Sequence, residues 1–216
     1  MILSTERIRQ LVFDSTVEPA SRLVITPVLD WSTQAKPGNC SIDVRLGQRF
    51  RVPRRARLDM LDHLSDDHSK RIELYADDHH VFIGDYFVVH PRQFVLSETL
   101  EWIHLPAGYA AYVIGRSSWG RDGLVIATAT GVHSSYSGIL TLEITNLGEI
   151  PIRLYPGLTI AQLFIHTVDY DAEPGAEAAK SAFAGSTSPE SADAVGVKDK
   201  KIIKKLSQMY GRKIGA

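Results

Sequence analysis

The sequence predicts a mainly β fold with a short N-terminal helix and a flexible or helical C-terminal tail, and three observations carry this. Between Val81 and His166 the chain reads as a succession of short runs, VFIGDYFVVH, QFVLSETLEWIHL, YAAYVIG, GLVIATAT, ILTLEITNLG, IPIRLYPG and LTIAQLFIH, rich in Val, Ile, Tyr and Thr. Pro91, Pro106, Gly108, Gly123, Gly138, Gly148 and Pro156-Gly157 punctuate them. No segment of helical period separates the runs, which argues against a βαβ architecture and for a barrel or sandwich.

Bulk properties bound what such a fold does. A chain of 216 residues, 44% of them hydrophobic, buries a substantial core in one domain and leaves room for appendages. A formal charge of -1 provides no whole-molecule field for nucleic acid, so nucleic acid is not expected as a partner. The single cysteine, Cys40, forms no intrachain disulfide and supports no cysteine metal cluster. The start, MILSTERIRQ, is charged within six residues, and no apolar run approaches the roughly 20 residues that span a bilayer. The expectation is a cytoplasmic protein without a membrane partner.

Taken in order, Ser4 caps a helix whose apolar residues Ile8, Leu11 and Val12 recur at i, i+3, i+4, and Pro19 sets its far limit. Leu23 to Val28 is a short apolar run. The Lys36-Pro37-Gly38-Asn39 turn leads into Ser41 to Gly47, where Ile42, Val44 and Leu46 alternate with polar residues as in a half-buried strand. Asp43 and Arg45 share the polar face of that strand, where an ion pair could anchor a neighbouring loop. Residues 51 to 80 carry His63, His68, His79 and His80 among acidic residues, but their spacings match no closed site, and we expect a solvated loop and no protein metal site. Beyond about Val168 the composition shifts to Ala, Ser, Glu, Gly and Pro, as in a partly disordered tail. The expected organisation is therefore a domain over 1–168 and a tail over 169–216. The tail ends in KDKKIIKKLSQMYGRKIGA, which places Ile202, Ile203, Leu206 and Met209 on one helical face among lysines. Such an end is solubilising, or binds a partner helix, nucleic acid or an anionic surface.

The chemistry concentrates between Gly115 and Glu143. Arg116-Ser117-Ser118 follows the strand YAAYVIG, and a guanidinium beside hydroxyls and turn amides suits phosphate, with Arg121 adding a second cation. Alone, the same three residues fit an ordinary turn. In ILTLEIT, Glu143 shares a face with Thr141 and Thr145. A carboxylate between Leu142 and Ile144, tuned by burial and a nearby Arg, suits a general base; alone, it also fits an exposed strand residue.

A family pattern covers both stretches. The segments FVVHPRQFVLSETLEWIHLP, GRSSWGRDGL and GILTLEITNLGEIPIRLYPGLTIAQLF, with MILSTERIR and SIDVRLGQRFRV before them, closely resemble the dCTP deaminase branch of the dUTPase-like superfamily over roughly residues 1 to 166. The resemblance implies a distorted β-barrel of the dUTPase-like type, a homotrimer with active sites at subunit interfaces, and Mg²⁺ accompanying the nucleoside triphosphate. It implies hydrolytic deamination of dCTP to dUTP and ammonia, without zinc. The sequence agrees in lacking the His-x-Glu and Pro-Cys-x-x-Cys signature of zinc deaminases.

Carried over by position, Glu143 matches the glutamate that activates water for attack at C4 of cytosine, and Ser117 and Arg121 match the residues that position that water and the glutamate. Arg116 and Ser118 match phosphate contacts, and Thr128 and Ala129 match the small turn whose backbone reads the base. Gln162 stands near the phosphates, and Thr141 and His133 complete the expected substrate contacts.

The chain also departs from the pattern. His133 or Ser134 stands where relatives carry the Asp that recognises the deoxyribose, and Gly131 where many carry an arginine. In the tail, Ala182-Phe183-Ala184-Gly185-Ser186 lacks the Lys and Gln of the usual triphosphate clamp, although Lys180 is near. Two alternatives follow: a dUTP diphosphatase, for which the missing turn carboxylate is unfavourable, and a trimer that binds dCTP, dUTP or dTTP without turnover.

Overall fold

The computed structural model describes residues 1–53, 76–128, 131–169, 185, 187 and 197–209. Its contacts group into two units, Met1–Arg51 with Asp78–Glu190, and Val52–Asp77 with Ser191–Ala216. Helix α1 (Thr5–Phe13) forms where the cap and the apolar spacing require it: the Ser4 hydroxyl accepts the Arg7 N–H, and Ile8 and Leu11 are buried. The Leu23 N–H donates to the Leu11 carbonyl at 3.2 Å and returns the chain into strand β1 (Val24–Thr26). A short α2 (Trp31–Gln34), capped by the Asp30 carboxylate on the Ser32 N–H at 3.0 Å, was not expected.

The strands are β2 (Ile42–Arg45), β3 (Arg49–Pro53), β4 (Ala76–His80), β5 (Phe87–Val89), β6 (Phe94–His104), β7 (Tyr109–Gly115), β8 (Leu124–Ile126), β9 (Gly131–Val132), β10 (Ser137–Asn146), β11 (Ile152–Leu154) and β12 (Thr159–Thr167). Among the described residues, one sheet runs β4-β3-β6-β10-β8 with β1 also on β6, a second β2-β12-β7-β9, and β11 pairs with β5. The two larger sheets meet where β2 runs into β3, through the Leu46–Thr99 bridge. Gly47 lies at that junction because nothing larger fits: a Cβ there would stand 2.4 Å from Cγ of Glu98.

Alternation in the sequence becomes alternation in burial. Leu142 and Ile144 are fully buried while Thr141, Glu143 and Thr145 are half-buried. With Ile42, Val44, Leu163 and Ile165 also at 0% exposure, these side chains form the core, each contributing about 1.5–3 kcal/mol by leaving water.

Three expectations need correction. The RSSWGR segment is not a plain turn but carries α3 (Ser117–Arg121). The segment 51 to 80, read as loop, has β3 and β4 at its ends; His63 and His68 lie outside the described residues. Asp43 and Arg45 do not pair with each other, because each is met by a different strand. In the second unit, α4 (Val197–Met209) forms where the helical face was expected, with Ile202, Leu206 and Met209 exposed. Among the described residues no helix is long and apolar enough to cross a membrane.

Candidate active site

Strand register builds the first half of the site. Asp43 on β2 lies opposite Gln162 on β12, which lies opposite Ile114 on β7, two residues before Arg116. The Gln162 amide donates to Oδ1 of Asp43 at 3.1 Å and lies 3.4 Å from the Ser41 hydroxyl. Nη1 of Arg116 stands 3.7 Å from Oδ2 of Asp43. The turn from β7 into α3 is pinned to β12 twice, by the Arg116 N–H on the Ile160 carbonyl at 3.3 Å and by the Trp119 indole N–H on the Thr159 carbonyl at 2.9 Å. Ser117, Ser118 and Arg121 are thereby presented outward, all three exposed.

A buried carboxylate supports β2 from behind. Glu101 is 0% exposed; it accepts the Arg45 N–H at 2.8 Å and the Gln34 amide at 3.1 Å, and the Arg45 guanidinium lies 3.5 Å away. Burial pushes Glu101 up to about 7, against the opposing pull of the Arg45 N–H and guanidinium.

The second half is built on β10. Glu143 is held through its backbone: its N–H donates to the Thr128 hydroxyl at 2.9 Å, and its carbonyl accepts the Ala127 N–H at 2.8 Å. Thr128 thus lies beside the Glu143 backbone, and Thr141, half-buried on the same face as Glu143, stands opposite Glu98. Ala129 lies outside the described residues. Glu143 and α3 sit at opposite ends of β8, since Gly123 bonds Leu147 while Ala127 bonds Glu143. The four residue steps from Gly123 to Ala127 cover about 13 Å of extended chain. Among the described residues no hydrogen bond or ion pair joins Ser117 or Arg121 to Glu143.

His133 is exposed in a turn tied to the β6–β7 connection: the Ser134 hydroxyl accepts the Gly108 N–H at 3.1 Å, and the Leu105 N–H donates to the Tyr136 carbonyl at 2.9 Å. From the tail, the Gly185 N–H donates to the Ser137 carbonyl at 2.6 Å and the Thr187 carbonyl accepts from the Arg49 guanidinium. Ala182, Phe183, Ala184 and Ser186 lie outside the described residues. A groove of about 600 Å³ opens between α1 and α2, lined by Phe13, Trp31 and Arg9 among others, and includes none of the expected site residues.

Sequence reasoning missed Asp43 as a member of this site. Its alternation with Ile42 and Val44 placed it on the polar face, but nothing local signals that β12 and the β7–α3 turn bring Gln162 and Arg116 there.

The architecture defines a class first. A deoxycytidine triphosphate deaminase from Agrobacterium tumefaciens is similar in structure, with a TM-score of 0.55 at 22% identity over 76% of this chain and 46% of that one, which supports a shared fold. The family model described as dCTP deaminase-like matches residues 2–168. The chain belongs to the dCTP deaminase family. It is 37% identical over 193 residues to a dCTP deaminase of Natronomonas pharaonis, covering 88% of this chain and 93% of that relative. It is 34% identical over 181 residues to a dUMP-forming dCTP deaminase of Nanoarchaeum equitans, covering 78% of this chain and 85% of that relative.

Proposed function

We propose that the chain is a homotrimeric aminohydrolase converting dCTP and water to dUTP and ammonia. The observation that carries this reading is Glu143, a half-buried carboxylate fixed by both backbone bonds at the end of β8, within a chain that matches the deaminase family along residues 2–168. Residues 1–168 are then the catalytic domain and 169–216 an appendage. Glu143 takes a proton from water as the oxygen attacks C4 of cytosine, then returns it to the amino group, which leaves as ammonia. The reaction needs no zinc. Mg²⁺ bound to the triphosphate, as its counter-ion, would neutralise phosphate charge.

Ser117 and Arg121 hold the water and the glutamate, and Arg116, Ser118 and Gln162 meet the phosphates. Thr128 and Ala129 read the base, Thr141 faces it, and His133 stands where the deoxyribose is recognised. The separation of α3 from Glu143 by the length of β8 supports a site completed between copies of the chain. The product is tested by incubating the protein with dCTP and Mg²⁺. Ammonia with dUTP is expected; no ammonia overturns the reading, and dUMP with pyrophosphate moves the protein to the dUMP-forming activity that several relatives are named for. Hydrolysis at the α-phosphate draws on a turn carboxylate, and in this chain the corresponding place holds His133 and Ser134.

A further inference from the structure

We propose that Asp43 is a positioning residue for triphosphate recognition, its carboxylate aligning the Arg116 guanidinium and the Gln162 carboxamide in one row. The identity of the ligand rests on the deaminase reading above; the row itself does not. Gln162 and Arg116 reach this place from different elements, β12 and the β7–α3 turn, and Asp43 on β2 meets both. Its two oxygens divide the work: Oδ1 accepts the Gln162 amide at 3.1 Å and Oδ2 faces Arg116 at 3.7 Å.

The second distance exceeds a hydrogen bond. Asp43 therefore orients the guanidinium by charge while leaving its N–H groups for a bidentate oxyanion. The Asp43 side chain is 13% exposed and that of Arg116 37%, so the restraint acts from a part-buried carboxylate on a cation that still reaches solvent. Fixing Gln162 and Arg116 before the ligand arrives removes ordering that binding would otherwise have to supply.

Steady-state kinetics with dCTP, and inhibition by inorganic tripolyphosphate as a probe of the phosphate half alone, test this. Asp43→Asn keeps an acceptor for Gln162 but loses the charge. It is expected to raise KM for dCTP and Ki for tripolyphosphate together, by about tenfold, with kcat changed by less than about twofold. Asp43→Glu restores most of the affinity. Because Asp43 acts through Arg116, the double variant Asp43→Asn/Arg116→Ala binds no more weakly than Arg116→Ala alone. A fall in kcat that matches the rise in KM, an unchanged Ki, or full additivity in the double variant overturns the proposal. If the wild type does not deaminate dCTP, the deaminase reading fails, and calorimetry with tripolyphosphate decides the Asp43 assignment separately. Weaker binding by Asp43→Asn then supports it, and equal binding, or none by the wild type, overturns it. If Asp43→Asn shows no cooperative melting, Asp43→Glu and Gln162→Ala take its place: weaker tripolyphosphate binding by Gln162→Ala with wild-type binding by Asp43→Glu supports the proposal, and any other pattern overturns it.

Discussion

Along β12 the polar side chains are tied to one another, with Asp43 3.1 Å from Gln162 and 3.7 Å from Arg116. Along β10, among the described residues, the Glu143 side chain has no hydrogen bond or ion pair: its N–H and carbonyl are fixed by Thr128 and Ala127, and Ser117 and Arg121 stand exposed at the far end of β8. The contrast teaches that strand register and the β7–α3 turn bring Asp43, Gln162 and Arg116 into the row proposed to meet an anion, whereas the groups proposed to react are set apart for something else to bring together. A row of long side chains that would otherwise wander benefits from being aligned in the free protein. A general base benefits from a side chain left uncommitted until substrate and water arrive.

The contrast breaks most sharply at Glu143. Glu143→Gln is expected to lower kcat by about a thousandfold while dCTP affinity, measured by calorimetry, stays within about threefold, because the base is lost and the row is untouched. Comparable loss of both would place Glu143 in binding rather than chemistry.

Asn146 tests what holds β10 in place. Fully buried, it donates to the Val89 and Ile150 carbonyls at 3.0 and 2.9 Å and accepts the Gly148 N–H at 2.9 Å. Asn146→Ala is expected to cost about 3 kcal/mol in denaturant unfolding, since it orphans the buried Val89 carbonyl and removes the partner of two part-buried backbone groups.

Glu101 makes the support of β2 pH-dependent. Its folded value of about 7 lies above its ordinary 4.5, so the folded chain holds this proton more tightly than the unfolded one. The stabilisation is complete below about pH 4.5 and is lost as pH rises through 7, by at most about 3 kcal/mol. Melting followed from pH 5 to 8 should show this decline, and Glu101→Gln should flatten it; an unchanged slope in the variant would remove Glu101 as its source.

The smallest effect is expected at Thr128. Thr128→Val removes the acceptor of the Glu143 N–H, and kcat should fall about five- to tenfold, roughly 1 kcal/mol, with KM for dCTP little changed. A change in KM alone would assign Thr128 to the base instead.

Much of the scaffold was legible because it follows from local rules. Ser4 with Ile8 and Leu11 predicts α1, and the two-residue period of Ile139 to Thr145 predicts both β10 and the face that carries Glu143. Family resemblance then singled out Glu143, Ser117 and Arg121 as candidates for the chemistry. The five residues of α3 were not legible, since one turn of helix has too few positions to show a period and depends on bonds to β12. His133 was matched to the sugar by position in the sequence, and the fold places it in a turn bonded to the β6–β7 connection.

By itself the sequence determined the β class, the limits of the main elements and the chemical character of the reactive stretch, because periodicity, caps and turn residues act over a few positions. Only the tertiary structure decided which polar groups meet. Asp43 and Gln162 are 119 residues apart, and the Gln34 amide reaches Glu101 across 67. Those distances in sequence are closed by strand register, and a slip of one residue would turn Asp43 or Gln162 to the other face of the sheet.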